Sequence, residues 1–434
     1  MASKKESKRR AVIVGGVRTP FLKSFSDFTR IDTIGLGVAA VRGLLEQTEI
    51  NHDEIDSVVW SGVVLPGNSV NIGREIVLDV GLPPTLETTT VTRACTSSLK
   101  AICLAAAEIE RGEADVIIAG GSDSISNAEV TLPPSLVHKA APVVLSPKSK
   151  PMDYLRMMMK LNPRKDLIPR QPAVKERSTG ELMGESAEKM GVRNAITREA
   201  QDAFAVQSHL RAAAAVSSGR FDNEIIPVDA PGGKRVFADG LIRGDANVAK
   251  LAKLRAAFAK GGNLTAGNSS PLTDGAAASL LMSEEKARSL GIEPLAAFKG
   301  WSFDAVDPAD QMLMGPALSM PRAAARAGMT LKDIDIVDIH EAFAAQVLSV
   351  LRMLASDAFA KAHLRMDKAF GEIDPESINP HGGSIAIGHP FGATGARMVT
   401  TMANELKATG KSTALLGICG AGGVSAGAVL EAVE

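Results

Sequence analysis

The sequence predicts an α/β protein made of two similar domains that pack face to face, with a segment inserted into the first domain. Three observations lead to this fold class. Apolar runs of strand length alternate with stretches of helical periodicity, which is typical of βαβ units in a largely parallel sheet. The second half of the chain resembles the first in the order of these elements. A proline-rich, basic segment interrupts the alternation between the two halves.

The first half provides its elements in a regular order. Residues 11–17 form a continuous apolar run with two glycines, which indicates a strand buried on both faces. The pattern then predicts, in order, a helix over 32–45, strands over 55–64 and 87–92, a helix over 97–111 and a strand over 115–120. Alternation of this kind brings the carboxyl ends of several strands to one edge of a sheet.

Two stretches of the second half match stretches of the first. Residues 333–339 resemble residues 54–60, and each leads into a strand. A predicted helix over 392–409 and strand over 413–418 correspond to the helix and strand of residues 97–120. The likeness predicts two α/β domains with clefts at the carboxyl ends of their strands.

The interruption predicts an inserted loop domain over residues 127–261. The N-terminal domain then covers 11–126 plus 262–292, and the C-terminal domain covers 293–434. A chain of 434 residues suits this division into two or three domains. Residues 1–10 contain five basic residues but no apolar core for a signal peptide, which predicts a disordered basic tail.

The basic part of the insertion, residues 139–177, contains ten Lys or Arg and three acidic residues. Within it, residues 152–161 have the pattern of a short basic amphipathic helix. One interpretation is a lid over a substrate, with methionine as an adaptable filler. The other is a face that meets a membrane surface or a partner enzyme. Further helices are predicted over 180–191 and 197–219, the second with Thr197 as its N-cap.

Composition excludes several classes of function. The chain has 48 Lys or Arg and 49 Asp or Glu, so the overall charge does not point to nucleic acid. Three cysteines without paired spacing argue against a disulfide framework and for a reducing compartment. No apolar run approaches the ~20 residues that span a bilayer. These features predict a cytoplasmic protein, and the His and Cys positions show no metal-ligand spacing.

Cys95 lies where a predicted strand ends and an alanine-rich helix begins. A residue on such a turn projects into an open crevice, and the first amides of the helix favour a thiolate and lower the thiol pKa. The hypothesis is therefore a covalent nucleophile. The alternative is a small buried hydrophobe, which is the usual environment of a cysteine flanked by small residues.

His389 lies at the corresponding turn of the second half. Its neighbours Gly388 and Pro390 restrict the backbone and leave the ring facing a cleft, where imidazole is the usual base for a thiol. Cys419 ends a strand in a glycine-rich turn and is a second potentially ionisable thiol. The alternative is a tight turn in which Cys419 is only a small buried residue. His340 ends another central strand beside Glu341, and the alternative is a capped helix start.

Other motifs do not fit a known site. Residues 417–422 resemble a dinucleotide-binding loop but lead into a strand, so no helix start is available for a pyrophosphate. Residues 410–412 imitate the end of a phosphate-binding loop, yet Glu405 stands where that loop needs glycine. Cys103 lies inside an apolar helix and is interpreted as structural.

Five motifs in order resemble those of the thiolases, and the resemblance runs from about residue 11 to the end. They are the Cys95 turn and residues 267–275, 340–343, 388–390 and 419–423. The resemblance implies two duplicated βαβ domains in a five-layer αβαβα arrangement, with an inserted loop domain. It also implies oligomers: homodimers, homotetramers, or a complex with a hydratase/dehydrogenase subunit.

The resemblance assigns a role to each site residue. Cys95 is the acylated nucleophile, His389 its base, and Cys419 the acid/base at the α-carbon of the second substrate. His340 stands where many thiolases have Asn and helps to hold a water in an oxyanion site. Ala421 is implied as a backbone donor, because its amide still donates although many members have Gly at this position. Contacts with coenzyme A are implied for Ser270 and Met183. Leu182, before Met183, replaces a His that is common in the family.

The implied activity is that of a 3-ketoacyl-CoA thiolase, which cleaves 3-ketoacyl-CoA with coenzyme A to acyl-CoA and acetyl-CoA in fatty-acid β-oxidation. His340 and Ala421 match the β-subunit type of the trifunctional enzymes. Coenzyme A is then a substrate, and no other cofactor is expected. Three alternatives stay open: a biosynthetic acetoacetyl-CoA thiolase, a catalytically silent acyl-CoA or lipid-binding protein, and a ketoacyl-carrier-protein synthase, which uses no second cysteine.

Overall fold

The computed structural model describes residues 9–170 and 175–433. The strands are β1 Ala11–Arg18, β2 Leu22–Lys23, β3 Ser57–Ser61, β4 Glu87–Val91, β5 Val116–Asp123, β6 Val228–Ala230, β7 Lys234–Val236, β8 Thr273–Ser283, β9 Ala296–Ala305, β10 Ile336–Ile339, β11 Thr413–Cys419 and β12 Val424–Glu431. The first helices are α1 Thr33–Thr48, α2 Ile72–Val80, α3 Ser97–Glu110, α4 Pro134–Val144, α5 Pro151–Met159, α6 Pro163–Asp166, α7 Met183–Arg193 and α8 Arg198–Ser217. The remaining helices are α9 Val248–Leu251, α10 Glu284–Leu290, α11 Pro316–Arg326, α12 Ala344–Leu354, α13 Asp357–Phe359, α14 Ser384–Ile387 and α15 Thr394–Thr409.

The strand order shows the predicted duplication. In the first half the order is β1-β8-β5-β3, and in the second half it is β9-β12-β11-β10. In the first half, β8 lies between β1 and β5 and is antiparallel to both. In the second half, β12 lies between β9 and β11 and is antiparallel to both. Strand β5 is parallel to β3, and β11 is parallel to β10. In the first half, β4 adds a further strand parallel to β3.

The sheet differs from the expectation in two ways. It is mixed and not largely parallel, because β8 and β12 run against their neighbours. Antiparallel neighbours can be joined by a tight turn, and β11 and β12 are joined in this way. The two half-sheets also share an edge, since Val12 and Ile13 of β1 pair with Ala297 and Ala296 of β9.

Alternate strand residues face different layers, as buried strands require. In β1, Ala11 and Ile13 belong to an apolar core shared with α3 and α15, whereas Val12 belongs to the core under α1 and α2. In β11, Leu416 faces the shared core and Leu415 faces α11 and α12. Helices α3 and α15 therefore form a middle layer between the two half-sheets. The five-layer αβαβα arrangement is confirmed.

Local contacts explain where some elements begin and end. The strand predicted over 55–64 ends at Ser61, because the amides of Val63 and Val64 bond instead to the Asp123 carboxylate at 2.9 and 2.6 Å. Thr197 caps α8 as predicted, its side chain accepting from the Ala200 amide. No helix of residues 9–170 and 175–433 has the length and apolar content needed to cross a membrane.

The chain divides into two compact units, residues 128–174 and the rest of the described residues. Residues 175–261, which we predicted to belong to the insertion, cluster with the larger unit. A buried ion triad holds them there, since Arg18 of β1 contacts Glu224 at 3.0 Å and Asp239 at 2.7 Å. The predicted domain bounds, including those of the insertion over 127–261, stay a prediction. Of the predicted tail, only Arg9 and Arg10 lie within the described residues.

In the smaller unit, α4, α5 and α6 pack together around Asp166. The Asp166 carboxylate accepts from the Lys139 ammonium at 2.7 Å and from the Asn162 amide at 2.6 Å. The amphipathic helix predicted over 152–161 is α5, and it presents Met158 and Met159 to solvent.

Candidate active site

Cys95 lies in a strained turn between β4 and α3. Ala94, the residue before it, has a φ of 48°, a left-handed conformation that costs an alanine free energy. Ser97 holds the turn, because its hydroxyl donates to the Ala94 carbonyl at 2.6 Å and accepts from the Arg93 amide at 2.7 Å. The turn raises Cys95 out of the strand direction and leaves it partly exposed.

His389 brings its imidazole to the Cys95 thiol from the other half of the molecule. Its Nε2 lies 3.2 Å from Cys95 Sγ, and its Nδ1 lies 2.6 Å from Thr394 Oγ1. The Thr394 hydroxyl donates to the Pro390 carbonyl at 2.9 Å, so it accepts the Nδ1 proton of His389. The Nε2 lone pair therefore faces the thiol, as a general base requires.

His340 stands beside this pair at the end of β10. Its ring centroid is 4.1 Å from that of His389, and its Nδ1 lies 2.9 Å from Ser384 Oγ. Its Nε2 is buried and has no hydrogen-bond partner among the described residues. The ligand atoms of Cys95, His340 and His389 all lie within 4.8 Å of one another.

Cys419 completes the site at the end of β11, where it is buried. Burial raises the pKa of its thiol well above the ordinary value, and the nearby Cys95 raises that pKa further. The two thiols are thus close enough to interact electrostatically. Two residues later in the glycine-rich turn, the backbone amide of Ala421 lies near enough to the Cys95 thiol to lower its pKa. The structure therefore brings all the predicted catalytic residues, and Ala421, to one place.

Burial keeps Cys95 and His389 neutral in the resting state. It raises the pKa of the Cys95 thiol to about 12, although the amides of Ala421 and of Cys95 itself act in the opposite direction. It lowers the pKa of His389 to about 3, and the positive charge of Arg397 adds to this effect. The prediction that the helix start lowers the thiol pKa is wrong in its net sign, because the desolvation of a thiolate outweighs the amide dipoles.

A cavity of about 450 Å³ lies next to these residues. Ser270 lines it together with Ile385, which directly follows the Ser384 that holds His340. Its walls carry the cationic residues Lys23, Arg243 and Lys250. Met183, the other residue predicted to contact coenzyme A, begins α7 and is packed against the apolar core under α12. It does not line this cavity.

Sequence reasoning missed the residues that hold the site in place. Thr394 and Ser384 fix the two imidazoles, and no motif spacing shows which hydroxyl reaches which ring. For Glu341 the sequence offers the alternative of a capped helix start. It precedes α12, and its carboxylate instead accepts from Ser208 at 2.7 Å, Asn379 at 2.7 Å and the Ile385 amide at 3.2 Å. It thereby ties the His340 strand end to α14.

Known proteins resemble the whole chain. The family descriptions "Thiolase, N-terminal domain" and "Thiolase, C-terminal domain" match residues 11–285 and 292–432. The 3-ketoacyl-CoA thiolase of Aliivibrio fischeri is 44% identical, over 97% of this chain and 95% of the relative. A 3-ketoacyl-CoA thiolase of Yersinia pestis is 43% identical, over 97% of each chain.

Solved structures also resemble the chain. An acetyl-CoA acetyltransferase of Bacillus anthracis has a TM-score of 0.83 and 31% identity, covering 98% of this chain and 100% of the other. The human mitochondrial 3-ketoacyl-CoA thiolase has a TM-score of 0.81 and 26% identity, covering 98% and 99%.

Because Cys95 and His389 are both neutral at rest, the pH dependence of the Cys95 thiolate can be predicted. Because the thiol pKa is raised to about 12, the thiolate form is negligible at neutral pH and grows only in strong base. The ultraviolet thiolate absorbance of the wild type minus that of Cys95→Ser should therefore stay flat from about pH 5 to about pH 9. A thiolate step in the acid range would show a preformed ion pair with His389 and contradict the prediction.

Thr394→Val removes the acceptor of the His389 Nδ1 proton. The ring then loses its fixed tautomer, and we expect alkylation of Cys95 by iodoacetamide at neutral pH to slow about 10-fold to 10²-fold, part of what a positioned base supplies. Thr394→Ser is the matched control, because it keeps the hydroxyl and should keep most of the rate. Equal alkylation rates in Thr394→Val and the wild type would disprove the positioning role.

Proposed function

The chain belongs to the thiolase family, and we propose that Cys95 carries the acyl group when it acts as a 3-ketoacyl-CoA thiolase. The protein is an acyltransferase of fatty-acid metabolism. The observation that carries the proposed site is the 3.2 Å contact between His389 Nε2 and Cys95 Sγ, with Cys419 beside it. In the degradative direction, coenzyme A cleaves 3-ketoacyl-CoA to acyl-CoA and acetyl-CoA.

In the first half-reaction, His389 Nε2 takes the Cys95 proton as the sulfur attacks the 3-keto carbon. The negative oxygen that forms on this carbon is stabilised by the amides of Cys95 and Ala421, which serve the same oxygen in the second half-reaction. His340 Nε2, which has no hydrogen-bond partner among the described residues, stabilises the enolate oxygen of the acetyl-CoA that leaves. The bond between C2 and C3 then breaks, leaving the acyl group on Cys95 and a carbanion equivalent of acetyl-CoA. Cys419 donates its proton to that carbon, and acetyl-CoA leaves.

In the second half-reaction, coenzyme A attacks the thioester on Cys95. The thiol proton of coenzyme A passes to the Cys419 thiolate, and the coenzyme A sulfur forms the new acyl bond. The Ala421 and Cys95 amides, which favour negative charge at the Cys95 sulfur, stabilise the thioester oxyanion. Protonated His389 returns its proton to Cys95 as acyl-CoA leaves, so the two half-reactions give ping-pong kinetics.

The cavity lined by Ser270 is the proposed coenzyme A site. Lys23, Arg243 and Lys250 supply positive charge for the phosphates, and apolar residues such as Leu241 and Phe258 face the less polar parts. Its Ile385 wall lies beside the His340 anchor, so a thiol at the end of the pantetheine arm points toward Cys95. The contact of Met183 with coenzyme A stays a prediction. No cofactor besides this substrate is part of the proposal.

The proposed assembly is a homodimer or homotetramer. Strand β4 ends the main sheet, pairs with β3 on one side, and pairs with no other strand of the described residues. An open edge of this kind is a template for a strand of a second copy. Because β4 leads directly into the Cys95 turn, such pairing would also support the nucleophile. A complex with a hydratase/dehydrogenase subunit and a cytoplasmic location, where Cys95 and Cys419 stay reduced, are further parts of the proposal.

Residues 139–177, most of which belong to the smaller unit, are the proposed contact with an anionic membrane surface. Met158 and Met159 of α5 are 63% and 70% exposed. Basic residues surround them: Lys148, Lys150, Arg156 and Lys160. Exposed methionines among cations suit the boundary between anionic headgroups and acyl chains.

A second candidate is a biosynthetic acetoacetyl-CoA thiolase, which runs the same steps as a condensation. The likeness to the Bacillus anthracis acetyl-CoA acetyltransferase favours it. The higher identity to 3-ketoacyl-CoA thiolases over nearly the full chain favours the degradative activity. Thiolysis rates for 3-ketoacyl-CoA substrates of increasing length separate the two, because a biosynthetic enzyme should act on the shortest substrate only.

Cysteine variants test the proposed roles. Cys95→Ala should abolish acyl-enzyme formation from acyl-CoA, as followed by mass spectrometry. Cys419→Ala should keep this acylation, since coenzyme A leaves as a thiolate, but should lose α-proton exchange and at least ~10²-fold in thiolysis. Cys103→Ala, in the buried face of α3, is the control and should behave as the wild type. Acylation of Cys95→Ala, or normal exchange in Cys419→Ala, would refute the assignment.

Vesicle co-sedimentation tests the membrane contact. The protein should sediment with vesicles of phosphatidylcholine and phosphatidylglycerol, less so with pure phosphatidylcholine, and less at high salt because screening weakens the attraction. A Met158→Glu and Met159→Glu double variant should lose binding. Val192→Glu, which changes an exposed apolar residue of the larger unit, should not. Absence of binding to anionic vesicles would eliminate the membrane proposal and favour a partner enzyme at this face.

A further inference from the structure

Cys95, His340 and His389 place one sulfur and two ring nitrogens in the same small volume, within 4.8 Å of one another. One thiolate and two imidazoles are a donor set that zinc prefers, whereas magnesium and calcium prefer oxygen. We propose that these three side chains form a binding site for Zn²⁺, and that the bound ion reversibly inhibits the enzyme. The ion is an inhibitor and takes no part in the reaction.

His340 supplies the observation that points to a ligand. The ring is completely buried, yet its Nε2 has no hydrogen-bond partner among the described residues. An unpartnered buried polar atom costs free energy, and a metal ion that binds it recovers that cost. A thiolase with an asparagine amide here has no imidazole to offer, so the third ligand is a consequence of His340.

The surroundings of the two rings suit metal ligands. A metal-bound histidine usually anchors its other ring nitrogen on a hydrogen-bonding group. His389 is anchored through Nδ1 to Thr394 Oγ1 at 2.6 Å, which leaves the Nε2 lone pair free. His340 is anchored through Nδ1 to Ser384 Oγ at 2.9 Å. Because a hydroxyl can donate or accept, Ser384 can take the Nδ1 proton when Nε2 binds a metal.

The distances are close to those of a tetrahedral site. Bond lengths of about 2.3 Å to sulfur and 2.0–2.1 Å to nitrogen place the ligand atoms roughly 3.3 to 3.6 Å apart. Cys95 Sγ and His389 Nε2 are already 3.2 Å apart. Because the ligand atoms are at most 4.8 Å apart, His340 has to approach by at most about 1.5 Å to reach bonding distance. Water completes the fourth position, and the thiol proton of Cys95 goes to solvent.

The nearby charges also permit a cation. Arg397 is buried near both imidazoles and opposes the binding of a positive ion. Asp338 offsets it, because its carboxylate lies 3.8 Å from the Arg397 guanidinium and neither of its oxygens has a hydrogen-bond partner among the described residues. The thiolate of Cys95 then neutralises half the charge of the ion.

Co²⁺ provides a test that does not depend on activity. The wild type titrated with CoCl₂ should show a thiolate-to-metal charge-transfer band and the intense d–d bands of tetrahedral coordination, both removed by ZnCl₂. Cys95→Ser should lose the charge-transfer band. His340→Asn, the matched variant, should bind Zn²⁺ at least ~100-fold more weakly, while circular dichroism checks that it is folded.

Two further measurements separate this site from the proposed function. Zn²⁺ should protect Cys95 from iodoacetamide and inhibit thiolysis at the same concentration, and a chelator should reverse both. The inhibition rests on Cys95 as nucleophile, but the cobalt spectrum does not. If acyl-CoA labels Cys95 and no charge-transfer band appears, the metal site is wrong and the proposed function stands. Unchanged binding in His340→Asn with loss in Cys419→Ala would show a two-cysteine site and overturn the proposal.

Discussion

The contact between the Cys95 thiol and the His389 imidazole depends on how two helix starts approach each other in the middle layer. Gly395, near the start of α15, lies against α3 so closely that a Cβ there would be 2.6 Å from the Leu99 nitrogen. Ser98 of α3 accepts from the Ala396 amide of α15 at 2.9 Å. This approach brings together two side chains that are 294 positions apart in the sequence. A duplicated fold provides it naturally, because each half contributes one helix start to the same layer.

Burial at this junction decides how the thiol is activated. At a fully solvated helix start the amide dipoles would lower the pKa of a cysteine, whereas desolvation keeps the partly exposed Cys95 protonated and keeps both imidazoles neutral. Activation therefore needs a base in contact with the thiol and in the correct tautomer. Thr394 meets that need through a single hydroxyl, and Ser384 anchors the second imidazole in the same way. The positions of two small polar residues thus carry much of the chemistry.

The same burial explains why the cluster suits both an oxyanion and a metal ion. His340 Nε2 is buried and has no hydrogen-bond partner within residues 9–170 and 175–433, so it is available to a ligand that reaches it. A reaction intermediate brings an oxygen that accepts a hydrogen bond there. A thiophilic cation has a vacant coordination position. The Nε2 lone pair of His340 fills it once the ring proton is on Nδ1. Both uses follow from one unsatisfied atom, and the asparagine of other thiolases offers only the first of them.

The sequence by itself determined the fold class, the duplication and the candidate catalytic residues. Hydrophobic periodicity identifies strands and helices, and the glycine-flanked motifs around Cys95, His389 and Cys419 have a chemistry that follows from residue type. Tertiary structure alone decided the mixed direction of the sheet, the pairing of β1 with β9, and the attachment of residues 175–261 through the Arg18 triad. It also decided the sign of the Cys95 pKa shift and the partners of the two imidazoles. These properties depend on desolvation and on atoms brought within about 3 Å from distant parts of the chain, and local pattern contains no information on either.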